Sequence, residues 1–376
     1  MKKNIPQIYP WINNRELYYL KKVIKSTFVT ENKLTEQFED KFKKITGSKY
    51  AIAINNWTLG LFACLKSLNV GPGDEVILPD MTFIASSNSV LLAGAKVVLC
   101  DINPKTLCID TNKIASLINS RTKVIMPVHL YGNSCDLDEI KKLRKKKNFY
   151  IIEDAAQGVG VTYKGKHVGA IGDVGGFSFY GNKLITTGEG GMIVTNNKKI
   201  YKDIYHLKNH GRERKGVFIH KKIGYNFMFT ELQAALGLAQ LEKLQKIIKL
   251  KLKIYQKYKK ALRFIKNIEF VEPTNKSNQI HWFTNILCNN KKLANYLKKN
   301  LIQTREAFYP LHLQPCYKKN INIIKTYCPN SINIYKRLIS LPSAAQLKNS
   351  DQIKIINYIK LFFKNNDSSR NKFNRF

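Results

Sequence analysis

Reactive side chains follow three stretches of the sequence that have the composition of buried strands. Asp154 ends the run YIIED, Lys183 lies in a glycine-flanked loop after GGFS, and Thr58 follows AIAI and two asparagines. In an open α/β sheet, ligands bind beyond the carboxyl ends of the strands. These three side chains are therefore candidates for a single site.

Lys183 stands in an otherwise apolar, glycine-rich loop, a setting that favours Schiff-base chemistry. Burial lowers the pKa of an amine and so frees it to attack a carbonyl. Asp154 would keep a pyridine nitrogen protonated, so that the ring can withdraw electrons, and a helix start with the hydroxyl of Thr58 suits a phosphate. Taken singly, such an aspartate is most often a cap and such a lysine a surface residue. Only their joint occurrence favours a site.

Strands and helices alternate through the first half of the chain. Apolar residues recur at three- and four-residue steps over 13–45, which predicts helices that stop at Gly47. Short apolar runs then alternate with helical patterns as far as YIIEDAA. Such runs are typical of parallel strands buried on both faces. The sequence therefore predicts an α/β protein with a mostly parallel central sheet.

A helical pattern from about 230 to 264 precedes a change to shorter strands and helices. We interpret residues 1–245 as a large domain that carries the site and residues 246–364 as a smaller C-terminal α/β domain. Residues 365–376 are polar and are interpreted as a tail. No internal repeat is present in the sequence.

Composition argues against several other classes of protein. Of the 376 residues, 44% are hydrophobic, which is ample for a core and rules out wholesale disorder. The net charge of +37 comes from lysines spread over the whole chain without a nucleic-acid-binding motif, so we expect solvated surfaces and no nucleic acid. No membrane-span or signal-peptide pattern is found, and the seven cysteines form no CxxC pair. We therefore expect a cytoplasmic protein with no membrane partner and no metal site.

Ordered blocks across nearly the whole chain resemble the DegT/DnrJ/EryC1/StrS family of sugar aminotransferases. They include FVTENKLTEQFEDKF, GPGDEVILPDMTFIASSNSV, MPVHLYGN, EDAAQGVG, GGFSFYGNKLITTGEGGMIVTNN, GYNFMFTELQAALGLAQLEKL, FYPLHLQPCY and SLPSAAQL. The resemblance implies the fold type I of pyridoxal-phosphate-dependent transferases, with a large domain and a smaller C-terminal one. Within the family, SFYGNK and TTGEGG look most like the branch that aminates C4 of a GDP-linked 4-keto-6-deoxy sugar.

The resemblance also implies roles for the residues that contact pyridoxal 5′-phosphate. Lys183 would form the Schiff base and move the proton in the 1,3-shift. Asp154 would pair with the pyridinium nitrogen, and Gln157 would lie against the hydroxyl edge of the ring. Phe83 would be a candidate to stack on the ring, although an ordinary core aromatic is an equal alternative.

Phosphate and substrate contacts are implied in the same way. Ser178 and Thr58 would hold the phosphate with help from the backbone of Trp57, and Asn226 would reach the phosphate of the partner subunit's cofactor. A second set lies in the block that lines the sugar-nucleotide side in relatives. Its members are Arg305, Tyr309 and His312.

Two residues depart from the pattern of the family. Many relatives have glycine where this chain has Trp57, which restricts φ in the phosphate turn and leaves an indole to be placed. Relatives often have a basic residue at the position of Met228, where it contacts substrate phosphate across a dimer. The anchor of the diphosphate is therefore unassigned.

The resemblance implies a homodimer with active sites at its interface, which transfers an amino group from L-glutamate to a nucleotide-linked 4-keto-6-deoxy sugar. A UDP- or dTDP-linked 3- or 4-keto sugar is an alternative acceptor. A sugar dehydratase is a weaker alternative, because in that branch histidine replaces the lysine found here as Lys183. A basic, non-catalytic binding protein on the same fold is a third.

Overall fold

The computed structural model describes residues 4–214 and 216–373, with the side chains of those residues except 290 and 366–373. Eleven α-helices lie within the described residues. They are α1 Asn14–Ser26, α2 Lys33–Thr46, α3 Trp57–Ser67, α4 Ala85–Leu92, α5 Thr111–Leu117, α6 Leu137–Lys146, α7 Lys198–Lys208, α8 Glu231–Leu262, α9 Asn290–Lys299, α10 Pro329–Arg337 and α11 Asn349–Phe373.

Fifteen strands are formed in the same part of the chain. They are β1 Tyr50–Ile54, β2 Glu75–Pro79, β3 Lys96–Cys100, β4 Thr122–Ile125, β5 Tyr150–Asp154, β6 Thr162–Tyr163, β7 Lys166–His167, β8 Val174–Ser178, β9 Gly191–Thr195, β10 Glu269–Phe270, β11 Ser277–Asn278, β12 Thr284–Leu287, β13 Arg305–Glu306, β14 Ile323–Ile324 and β15 Leu338–Leu341.

The central sheet has eight strands in the order β1-β9-β8-β5-β4-β2-β3-β14. The six strands β8-β5-β4-β2-β3-β14 are paired in parallel. Strand β9 is antiparallel to both of its neighbours, β1 and β8. The strands β1, β5 and β8 therefore point the same way, and their carboxyl ends meet at one edge of the sheet. The predicted α/β class with a mostly parallel sheet is confirmed.

Alternate side chains of each central strand enter two different cores. In β1, Ala51 and Ala53 face the core that includes α2 and the start of α8, whereas Ile52 and Ile54 face the core that includes α3 and α7. Both sets are buried. Strands covered on both faces need apolar residues at every position, which explains why their sequences are continuous apolar runs.

The C-terminal part forms a four-stranded antiparallel sheet in the order β10-β12-β15-β13. It shares a core with α9, α11 and the second half of α8. Its links to the rest of the chain include a bridge between Ile5 and Ile302 and the pairing of β14 with β3 of the central sheet. The domain boundary predicted at residue 245 falls within the unbroken helix α8 and stays a prediction.

The segment 365–376, interpreted from the sequence as a tail, begins inside α11. That helix continues to Phe373, and residues 374–376 lie outside the described part of the chain. In the sequence, no glycine or proline that could end a helix occurs between 349 and 373. Among the described residues, no helix is both long enough and apolar enough to span a membrane.

Glu153 is a fully buried carboxylate that ties β5 to the segment before β8. Its oxygens accept hydrogen bonds from the backbone N–H groups of Gly169, Ile171 and Gly172 at 2.8, 2.7 and 2.5 Å. They also accept one at 3.0 Å from Nε2 of His129, whose Nδ1 accepts from the backbone N–H of Cys135. Burial alone would raise the pKa of Glu153, but His129 and the backbone donors hold it below its ordinary value.

We expect Glu153→Ala to lower the free energy of unfolding by about 3–5 kcal/mol, because it leaves four buried or partly buried donors without their acceptor. The folded-state pKa of Glu153 is depressed, so its contribution is present above the ordinary pKa and is lost as the pH falls through the depressed value. Urea unfolding followed by circular dichroism at neutral and acid pH measures both effects. Glu139→Ala, which removes an exposed pair with Lys142, should cost less than about 1 kcal/mol. Equal costs for the two variants would contradict the expectation.

Candidate active site

A cavity of about 580 Å³ opens at the edge of the sheet where β1, β5 and β8 end. Eight of the eleven side chains predicted for the site line it. They are Trp57, Thr58, Phe83, Asp154, Gln157, Ser178, Lys183 and Arg305. The convergence follows from topology, since parallel strands bring their carboxyl ends to one edge. Their individual roles stay predictions.

Lys183 lies in the loop between β8 and β9 and is partly buried at the cavity. Its backbone N–H donates to the carbonyl of Tyr180 at 2.9 Å, which closes a tight turn. Burial lowers the pKa of Lys183 to about 8; nearby Asp154 opposes that shift and nearby Arg305 adds to it. About a tenth of the amine is therefore unprotonated at pH 7, against fewer than about one in a thousand for an ordinary lysine.

Asp154 ends β5 and is only 4% exposed. Its Oδ1 accepts from the indole Nε1 of Trp57 at 2.8 Å and from the backbone N–H of Ala156 at 3.1 Å. Its Oδ2 accepts from the hydroxyl of Ser86 at 2.7 Å. Three donors stabilise a carboxylate that would otherwise be costly to bury.

Helix α3 presents its N-terminus to the cavity. Asn56 is the N-cap, and its side-chain Oδ1 accepts from the backbone N–H of Leu59 at 2.9 Å. The N–H groups of Trp57 and Thr58, in the first turn, have no partner within the helix. Together with the hydroxyls of Thr58 and Ser178 they form a donor set suited to a phosphate.

Gln157 follows Asp154 by three residues and lines the same cavity. Its Oε1 accepts from the backbone N–H of Tyr131 at 2.6 Å, where Tyr131 has a left-handed φ of 53°. That bond orients the amide and leaves the Nε2 hydrogens as donors. Such a donor suits a phenolic oxygen on a ligand.

Residues from the C-terminal part form the remaining wall of the cavity. The ring of Trp282 lies 4.3 Å from Nζ of Lys183, and its indole N–H donates to the carbonyl of Asn182 at 2.7 Å. The backbone of Trp282 is held in turn by Lys251, whose buried Nζ donates to the Trp282 carbonyl at 2.6 Å. Burial lowers the pKa of Lys251 to about 7.

Ten lining residues lie outside the set predicted for the site, among them Ser86, Asn182, Trp282 and Phe308. Ser86 and Asn182 stand within blocks that carry the family resemblance, and their neighbours in the sequence were assigned roles. Trp282 stands in the unremarkable run IHWFTNIL, so no local signal marked it. Oδ1 of Asn182 is buried and has no hydrogen-bond partner among the described residues.

Three predicted side chains do not line the cavity. Asn226 lies in the exposed segment before α8, and its Oδ1 accepts from the backbone N–H of Met228 at 3.3 Å. Tyr309 packs edge-on against Tyr335. His312 is held by Asp80, with 2.7 Å between Nδ1 and Oδ2. Their predicted contacts with substrate, or with the cofactor of a partner, stay predictions.

Comparison with known proteins identifies the group to which the chain is related. The model of the DegT/DnrJ/EryC1/StrS aminotransferase family matches residues 10–360. The chain belongs to this family. It is therefore an aminotransferase, and its fold is the fold type I that the family resemblance implies.

Curated relatives and solved structures extend that result. The chain is 37% identical over 366 residues to GDP-perosamine synthase of Escherichia coli O157:H7, covering 96% of this chain and 99% of the relative. It is 35% identical over 366 residues to GDP-perosamine synthase of Vibrio cholerae, with the same coverage. The crystal structure of S. venezuelae DesV in complex with a ketimine intermediate superposes with a TM-score of 0.89 and 26% identity, covering 95% of this chain and 99% of that one.

We expect Lys183 of the cofactor-free aminotransferase to titrate with a midpoint near pH 8, whereas exposed lysines titrate near 10.4. Competitive acetylation across the neutral and alkaline range, read by mass spectrometry, measures this difference. Arg305→Gln should move the midpoint upwards, because it removes a positive charge that disfavours the ammonium form. Arg337→Gln removes an arginine paired with Glu269 and should leave the midpoint unchanged. Titration of Lys183 together with the exposed lysines would contradict the expectation.

Proposed function

We propose that this sugar aminotransferase binds pyridoxal 5′-phosphate on Lys183 and transfers the amino group of L-glutamate to C4 of a GDP-linked 4-keto-6-deoxy sugar. One observation carries the proposal. A lysine with a lowered pKa and a buried, hydrogen-bonded aspartate line the same cavity as a helix N-terminus. These are the amine, the anion and the phosphate donors that the cofactor requires.

When bound, pyridoxal phosphate supplies an aldehyde that condenses with amines and a pyridinium ring that withdraws electrons. Nζ of Lys183 would hold the aldehyde carbon and, once displaced, would accept and return the proton that moves during the transfer. Asp154 would hold the proton on the ring nitrogen. Gln157 would donate to the phenolic oxygen, and the N-terminus of α3 would bind the phosphate.

The choice of sugar nucleotide is supported by the relatives and by charge. Both cited relatives are named GDP-perosamine synthases, and the chain aligns with 99% of each. Arg305 places a cation in the cavity wall at the C-terminal side, where an anionic substrate would enter. A UDP- or dTDP-linked sugar is the alternative acceptor. Lys183, in place of the histidine that the resemblance implies for dehydratases, favours amination.

A homodimer is part of the same proposal. Large apolar side chains are exposed in the segment that leads to Asn226: Phe218 is 80% exposed, Ile219 70% and Ile223 89%. Large exposed apolar side chains that occur close together in the sequence are a common feature of protein interfaces. A second copy that covers it would bring Asn226 towards the partner's cavity.

The test of function begins with the visible absorption spectrum of the protein reconstituted with pyridoxal phosphate. Addition of L-glutamate should convert the cofactor to its amine form, and a GDP-4-keto-6-deoxy sugar should restore the original band. UDP- and dTDP-linked 4-keto-6-deoxy sugars serve as matched alternatives. Restoration by one of those and not by the GDP sugar would reject the substrate assignment while leaving the aminotransferase.

Lys183→Ala should reduce the rate of transamination at least about a thousandfold, because it removes both the covalent attachment and the proton carrier. Lys198→Ala changes a lysine on the exposed start of α7 and should leave the rate unchanged. Rates are measured as 2-oxoglutarate release. Near-normal turnover by Lys183→Ala would refute its role.

Ile223→Glu should weaken the dimer at least about tenfold, because it places a charge in an apolar interface. Sedimentation velocity over a range of concentrations measures the monomer–dimer equilibrium. Ile321→Glu alters a side chain that is 87% exposed but lies far along the chain, and it should have no effect. A monomeric wild-type protein would refute the proposed assembly.

A further inference from the structure

Trp57, which departs from the pattern of the family, has a defined position beneath the cavity. It is the first residue of α3 and is 4% exposed, so the indole is enclosed by protein. The ring packs in the core between the central sheet and α3. Its Nε1 reaches the carboxylate of Asp154, with 2.8 Å between the two atoms.

Two glycines leave room for this indole. A Cβ on Gly60 would lie 2.5 Å from Cε3 of Trp57, and a Cβ on Gly176 would lie 2.4 Å from Cζ3. Neither glycine has a left-handed φ, so no backbone conformation requires glycine there. At Gly176 the carbonyl of Met192 would also be too close, at 2.2 Å. At Gly60, by contrast, the only contacts closer than ordinary packing are with the indole.

The indole determines which acceptor sites of Asp154 stay open. A carboxylate has about four lone-pair sites, two on each oxygen. On Oδ1 both are used, by the Trp57 indole and the Ala156 N–H. On Oδ2 one is used, by the Ser86 hydroxyl. One acceptor site on Oδ2 is therefore left over by these three donors.

We propose that Trp57 is a positioning residue for Asp154: its indole N–H occupies Oδ1, fixes the plane of the carboxylate and reserves Oδ2 for the ring nitrogen of the cofactor. Gly60 supplies the space that this arrangement needs. The inference rests on the proposed function, because it assumes that Asp154 faces a pyridinium nitrogen. It goes beyond that function in giving the aspartate a dedicated donor from α3.

The ring nitrogen itself provides the test. Trp57→Phe keeps an aromatic ring and removes the N–H donor, and 1-deazapyridoxal 5′-phosphate replaces the ring nitrogen of the cofactor with C–H. Calorimetric titration of the cofactor-free, full-length protein with each compound gives two dissociation constants. Trp11→Phe is the matched control, because Trp11 contacts Lys243 and Lys246 and does not line the cavity.

We expect Trp57→Phe to raise the dissociation constant of pyridoxal phosphate about three- to tenfold, the value of one hydrogen bond. The dissociation constant of the deaza compound should change less than about twofold. This compound has no ring nitrogen for Asp154 to contact, so the position of the carboxylate should matter little to its binding. Trp11→Phe should change neither. An equal rise in both dissociation constants would show that Trp57 contributes only to packing. No change in either constant would show that Asp154 does not depend on the indole. Both results overturn the proposal.

Gly60 gives a second, independent test that requires no cofactor. Gly60→Ala should lower the melting temperature when Trp57 is present, because the new Cβ meets the indole. In the background of Trp57→Gly the same change should raise it, because alanine favours a helix interior over glycine. A change of the same sign in both backgrounds would overturn the role given to Gly60.

The two failures are distinguishable. Absence of pyridoxal phosphate binding by the wild-type protein would refute the proposed function. The other failure is seen when the wild type binds pyridoxal phosphate but Trp57→Phe changes the dissociation constants of pyridoxal phosphate and of its deaza analogue by the same factor. That result would leave the proposed function intact and refute the role of the indole.

Discussion

The buried carboxylate of Asp154 is the constraint around which the site is organised. A buried anion is costly unless donors surround it, and here the donors come from α3, from α4 and from the turn that follows β5. The start of α3 must therefore lie beside the end of β5. The same placement brings the N-terminus of α3, a phosphate-binding element, to the edge of the cavity.

The C-terminal part completes the wall of the cavity beside Lys183. The ring of Trp282 lies over the amine, and Arg305 adds a positive charge. Lys251 donates a hydrogen bond to the backbone carbonyl of Trp282 and so fixes its position. Removal from water lowers the pKa of Lys183 to about 8, although Asp154 opposes this effect. Reactivity of the lysine thus depends on residues about a hundred positions away in the chain.

Much of the fold could be predicted from periodicity. The helices before Gly47, the alternation through β5 and the long helix α8 were recognisable because each pattern repeats over several turns or fills a whole buried strand. The direction of β9 and the pairing of β14 with β3 could not be predicted. Both depend on contacts between distant segments, which short strands do not encode locally.

For the site, the sequence by itself determined the reactive residue types and the elements that carry them. Lys183, Asp154 and Thr58 follow strands, and parallel strands share an edge, so their proximity was predictable. Only the tertiary structure decided the direction of the Trp57 indole, because that depends on the space beside Gly60 and Gly176. It likewise decided that Trp282 covers the lysine and that His312 turns to Asp80. Side-chain direction is set by packing and hydrogen-bond satisfaction across elements, and no local pattern records it.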